Sequence, residues 1–305
     1  MITRLFLYTT HTIALVSALI VLAIFGISPS SLVAAALVYA YVYGLLEFWT
    51  RHELPPPLLV FLYIIAFLGL IGGTQFTVAV SVIVAAFMLK ELKIVKGNPL
   101  DAVVSGLKLG LLGGLLRIGL LIAAPIYEAL KVLRRSPILA FAMLLSFLLM
   151  IFTRFPLLRL DIGLDIEPSV LSIGPLSAIF GFQDRGNPLF WAGIIGYEEL
   201  IGRPVPVANA FFVLLHYHSR AVYAFTKIAK DPLFATAFAL FTLTVIHLST
   251  RWLWDLYKKY GFIGSLSGHA VYNAVLSANL KTFLLLFLIG IVAYIYEKAF
   301  KSEAE

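Results

Sequence analysis

The chain contains no cysteine. That excludes disulfides, thiolate-bound zinc, a thiol nucleophile and lipid attachment through sulfur. Charge is the next scarcity, at 13% of 305 residues, where a soluble domain carries about a quarter. A surface so poor in charge needs lipid as its solvent. The chain lacks a phosphate-binding loop, which argues against ATP-driven chemistry. It lacks the zinc-protease helix with two histidines four apart around a glutamate, so no catalytic metal or other cofactor is expected. It also lacks the alternating segments of about ten residues that build a membrane β-barrel. What it has is a hydrophobic content of 61% and a mean hydropathy of +0.97, in continuous runs about twenty residues long. The expected fold is an all-α, polytopic transmembrane helical bundle. The net charge of +7 fits basic cytoplasmic loops facing anionic lipid, and no nucleic-acid partner is expected.

Taken in order, the apolar runs predict spans at about 5–25, 31–48, 58–71 and 76–89, broken by Gly26 and Pro29, by Pro55 to Pro57, and by Gly72-Gly73. The first is long and many spans follow, so it reads as a retained helix and not a signal peptide. Residues 101–135 are apolar but carry Lys108, Arg117 and five glycines between 106 and 119. They read either as a tightly packed span or as an interfacial segment. Leaving them uncrossed puts Arg4, Arg51, Lys90 to Lys96, Lys131 to Arg135, Lys258-Lys259 and Lys298 to Lys301 on one side, as the positive-inside rule favours. A further span is expected at 137–152. An extramembrane or interfacial loop follows at 154–187. Five spans then run at about 188–203, 207–225, 232–257, 262–280 and 282–300. The total is about ten, within eight to eleven. Residues 1–153 form an N-terminal transmembrane scaffold, and 188–305 hold the chemistry.

That chemistry centres on Tyr197-Glu198-Glu199-Leu200-Ile201-Gly202-Arg203, which places three charges in an apolar helix. A charge near the bilayer centre costs about 2.5–3.5 kcal/mol on insertion scales and marks a functional site by default. Glu199 and Arg203 are four apart, so they share a helix face and can pair, which leaves Glu198 free. Pro204-Val205-Pro206 cannot easily continue the helix and reads as a turn at one membrane face. Glu198 then lies roughly 9 Å deep and His216 roughly 15 Å deep at 1.5 Å per residue. Lys258-Lys259-Tyr260-Gly261 is the next turn on that face, and His269 lies roughly 12 Å beyond it, with Asn273 one turn further. These groups can meet in one leaflet. A carboxylate with an imidazole can deprotonate water, and a second histidine with an asparagine can hydrogen-bond a developing oxyanion. Together they describe a hydrolase.

Glu198-Glu199 with Arg203, Phe212 four before His216, and His269 four before Asn273 resemble the signature of the prenyl-protein (CAAX) endopeptidase and bacteriocin-processing family of glutamate-type intramembrane proteases. The resemblance covers about 197–279, a quarter of the chain. It implies that Glu198 and His216 activate water, that His269 and Asn273 form the oxyanion hole, and that Glu199 and Arg203 position them. Residues 188–305 would be the catalytic helices. The substrate would be a peptide or membrane-anchored protein, prenylated tails included, with the site opening to the cytoplasmic side. The sequence departs from the family in Pro204 directly after Arg203 and in a short gap from Glu198 to His216. His247, preceded at four residues by Leu243 instead of phenylalanine, is the rival first histidine or a supporting group. Two other readings stand beside the protease. One is a non-catalytic scaffold or chaperone-like binding protein that retains the pocket, in which Glu198, Glu199 and Arg203 act as an ion-pair lock. The other is a transporter, which calls for polar groups on both sides of the midplane.

Overall fold

The structure, a computed structural model, describes residues 2–50, 92–119, 123–161, 199, 203–214 and 216–277, without the side chains of 2–6, 115–119, 153–161, 219 and 273–277. The described elements are helices: α1 (Ile2–Phe25), α2 (Pro29–Thr50), α3 (Pro99–Gly119), α4 (Ala123–Val132), α5 (Pro137–Asp161), α6 (Pro206–Leu214), α7 (Tyr217–Tyr223), a π-helical turn (Ala224–Ile228) and α8 (Pro232–Ser277). Among the described residues three helices are long and apolar enough to cross a membrane, namely α1, α2 and α8. The chain is an all-helical membrane protein. The spans expected at 58–71, 76–89 and 282–300 lie outside the described residues.

Proline sets the helix starts. Five helices, α2, α3, α5, α6 and α8, begin on one, where the missing N–H has no intrahelical partner to lose and φ is already helical. Four of these prolines follow a capping side chain. Ser28 Oγ accepts from Ser31 N at 3.1 Å, and Ser31 Oγ accepts from Ser28 N at 2.8 Å. Asn98 Oδ1 accepts from Leu100 N at 3.0 Å, Ser136 Oγ from Leu139 N at 3.3 Å, and Asp231 Oδ1 from Leu233 N at 3.0 Å. Each cap satisfies a donor that the first helical turn leaves without a partner.

Two compact units divide the chain. The first takes in α1, α2, α4 to α7 and α8 as far as Leu248. Here α2 packs against α1, α5 and α6, and α4 against α5. Gly44 lets α2 approach α5 closely, since a Cβ there would lie 2.5 Å from Leu139 N. Phe147, Met150, Phe234 and Phe241 form an apolar cluster. Tyr41 on α2 is fully buried and reaches Thr244 Oγ1 on α8 at 3.3 Å. Only 33% of the apolar window of α1 is buried, against 89% in α8, so α1 shows most of its surface to lipid while α8 is enclosed.

The second unit holds α3, Glu199, Arg203 and α8 from Ser249 onward. α8 turns back on itself at Gly261, whose φ of 74° and ψ of −164° suit glycine and strain other residues. The arms before and after the turn pack together: Ser249 Oγ donates to Tyr272 Oη at 2.7 Å. The expected turn at 258–261 is therefore present. α3 lies against the second arm through glycines on both sides. A Cβ at Gly106 would meet Gly264 O and Ser267 Cβ at 2.7 Å, and one at Gly110 would strike Gly268 O. Gly106/Gly110 and Gly264/Gly268 are two small-residue pairs at four-residue spacing, the arrangement that lets membrane helices approach at backbone distance. Gly110→Val is expected to destabilise the protein by about 1–3 kcal/mol or more through overpacking, measured by thermal unfolding in detergent. Leu111→Val on the exposed face should stay within about 0.5 kcal/mol.

Residues 101–135 hold α3 and α4. Two expectations need correction. The span expected at 207–225 is not one helix: it breaks at His216 and ends in the π-helical turn. α5 continues past Arg154, where a loop was expected to start, as far as Asp161. Arg is a good helix former, and Leu157, Leu158 and Leu160 extend the apolar run.

Candidate active site

The ion pair that the four-residue spacing implied is formed. Arg203 Nε donates to Glu199 Oε2 at 2.9 Å and to Oε1 at 3.1 Å. Both side chains are fully buried. Arg203 N also donates to Glu199 O at 3.3 Å, and Pro204-Val205 lead into α6 at Pro206. The sequence reading did not foresee the third member. His269, on the second arm of α8, places Nδ1 2.7 Å from Glu199 Oε1. Its side chain is 7% exposed. One carboxylate thus joins a guanidinium and an imidazole seventy residues away.

This arrangement fixes the chemistry of His269. A carboxylate accepts only, so the proton on the bonded edge sits at Nδ1 and donates to Glu199. In the neutral ring Nε2 then carries the lone pair and can take a proton from water. In the protonated ring Nε2–H can donate to an oxyanion. Glu199 acts as the orienting acid in either case, the part a third group plays wherever an acid aligns an imidazole. Arg203 balances the carboxylate, so the buried trio carries no net charge while His269 is neutral.

His216 belongs to the first unit. It sits at the break between α6 and α7, as the residue before Tyr217. Its Nδ1 lies 2.8 Å from Phe212 O, and the Phe212 ring meets the imidazole edge-on at 5.0 Å. A carbonyl accepts, so Nδ1 again carries the proton and Nε2 holds the lone pair in the neutral ring. The phenylalanine four before the histidine therefore works through both its carbonyl and its ring. His216 is half-buried, while His218 is exposed, as expected for positions that cannot share a face.

His247, the rival, is fully buried and places Nδ1 2.7 Å from Glu128 Oε1 on α4. Phe48 and Trp49 of α2 meet its ring edge-on at 5.1 and 5.7 Å. The chain so holds a second enclosed acid–imidazole pair. Glu128 went unnoticed in the sequence because a single glutamate in a short amphipathic stretch reads as a surface residue. Arg220, one turn after His216 and 2% exposed, was also missed; its position four beyond the histidine was the available signal. Glu198 lies outside the described residues. Asn273 lies on the second arm of α8, one turn after His269, and its side chain lies outside the described residues.

Compared with known protein families, characterised proteins and solved structures, the chain matches none. Among the described residues no three histidine, aspartate or glutamate side chains are grouped to hold a metal ion.

Proposed function

We propose that the chain is a multi-pass intramembrane endopeptidase. It hydrolyses a peptide bond in a membrane-associated or lipidated protein or peptide, with its site open to the cytoplasmic side. Glu198 and His216 activate the water, and His269 with Asn273 stabilises the oxyanion. Glu199 and Arg203 hold His269. The observation that carries this reading is the buried Arg203–Glu199–His269 trio. It orients the imidazole of His269, which stands one helical turn before Asn273 on α8. The carbonyl of Phe212 likewise orients His216. No step calls for a metal.

The test is purified protein in detergent with a fluorogenic peptide library. Cleavage is expected, and it should survive a chelator. Loss of cleavage on chelation would replace glutamate chemistry with metal chemistry. A second reading rests on the completeness of the burial: a non-catalytic scaffold that keeps the trio as an interhelical lock and binds a partner helix. It predicts stable capture of membrane peptides with no new termini.

A further inference from the structure

The turn that folds α8 back on itself is clasped by a second segment of the same unit, residues 92–98. Lys93 O accepts from Phe262 N at 2.7 Å, Ile94 O accepts from Ile263 N at 3.1 Å, and Lys96 N donates to Tyr260 O at 3.2 Å. Lys93 N donates to Tyr257 Oη at 3.1 Å. A Cβ at Gly261 would lie 2.5 Å from Lys93 O, so glycine permits both the turn and the clasp. The result brings Lys93 and Lys96 to the same turn as Lys258 and Lys259, and all four are exposed.

Their present partners are weak. Lys96 Nζ spends one of its three donors on Lys258 O at 2.9 Å. Lys258 pairs with Asp255, both side chains more than half exposed, and a surface pair of that kind contributes little. Lys258 and Lys259 also lie over the Trp254 and Tyr260 rings, at 5.7 and 4.9 Å. Within 92–98 and 254–261 there are four lysines and one carboxylate, Asp255, and Asp101 of α3 adds a second negative charge near Tyr260. Trp254 stacks on Tyr257 at 6.0 Å, the residue types that settle at the headgroup level. Beside the lysines, Ile94 is 55% exposed, an apolar side chain at a charged turn.

We infer that the Lys93/Lys96/Lys258/Lys259 turn is a seat for the phosphate headgroup of an anionic phospholipid. The ammonium groups bracket the phosphate, while Ile94 and Trp254 rest at the acyl boundary. Basic residues gathered beside a membrane helix draw anionic lipid in this way. A headgroup there bridges residues 92–98 to the turn and holds the clasp shut. The second arm begins at this turn and carries His269 about two helical turns on, so the bound lipid steadies the helix that bears the trio. The inference concerns binding and does not depend on proteolysis.

The test is thermal unfolding of the full chain in neutral detergent with added phosphatidylglycerol or phosphatidylcholine. Phosphatidylglycerol should raise Tm by about 3 °C or more over phosphatidylcholine, the size of shift that ligand binding to the folded state produces in a chain this long. The increment should fall by at least half in K93Q/K96Q/K258Q/K259Q. It should persist in K131Q/R134Q, which removes basic residues elsewhere. Inorganic phosphate should not reproduce it. An increment that survives the fourfold change, that vanishes in the control, or that inorganic phosphate matches would overturn the assignment. So would equal Tm in the two lipids.

Discussion

His269→Ala is expected to cut peptide cleavage by about 10²–10³-fold, the usual cost of removing one oxyanion donor, while the protein still folds. The residue is held by Glu199 at 2.7 Å, and both carboxylate oxygens keep their bonds from Arg203 Nε when the imidazole goes. The chemistry loses a reacting group while that ion pair stays in place. Glu199→Gln separates orientation from reaction. Glutamine keeps the shape but no longer compels the proton onto Nδ1 of His269, so kcat should fall while KM holds. It also leaves Arg203 buried beside a neutral amide, which lowers stability. Glu199→Gln with Arg203→Gln should recover stability without recovering kcat. Activity restored along with stability would make the trio a lock and nothing more. Steady-state kinetics and thermal unfolding on the same preparations decide between them.

The largest expected loss of stability belongs to the other buried pair. His247→Leu leaves the buried Glu128 carboxylate without its imidazole. Breaking a buried pair on one side costs about 3–5 kcal/mol. Replacing both members with apolar side chains is often close to neutral, so His247→Leu with Glu128→Leu should regain most of the loss. Unfolding of the two single variants and the double variant gives the coupling directly. The same double variant settles which histidine works with Glu198. Cleavage should continue in it, because His247 is committed to Glu128 and His216 is the histidine at the helix break. A stable double variant without activity would transfer the role to His247.

The sequence was most legible where local chemistry decides. The helices expected from 137 and 232 do begin at Pro137 and Pro232, where proline's missing donor costs nothing. The turn at Lys258–Gly261 followed from glycine and charge, and the Glu199–Arg203 pair from four-residue spacing. Contacts made by packing were harder to read. Glu199 meeting His269, and Glu128 meeting His247, depend on which faces of distant helices touch, and no local rule carries that. Glycines 106 and 110 signalled close packing, yet their partners, Gly264 and Gly268, emerge only once α8 has folded back at Gly261. The break at His216 was hidden because Val207 to Phe225 is apolar on average despite His216, His218 and Arg220, and average apolarity does not mark where a membrane helix bends.

The central claim is that Glu198 drives water onto a peptide bond beside the Arg203–Glu199–His269 trio. Mass spectrometry of a membrane-peptide library incubated in H2¹⁸O tests it most directly, with wild-type protein set against Glu198→Gln. New C-termini carrying one ¹⁸O are expected in the wild-type sample and none above background in the variant. Unlabelled or absent termini with wild type, or equal labelling with Glu198→Gln, would contradict it.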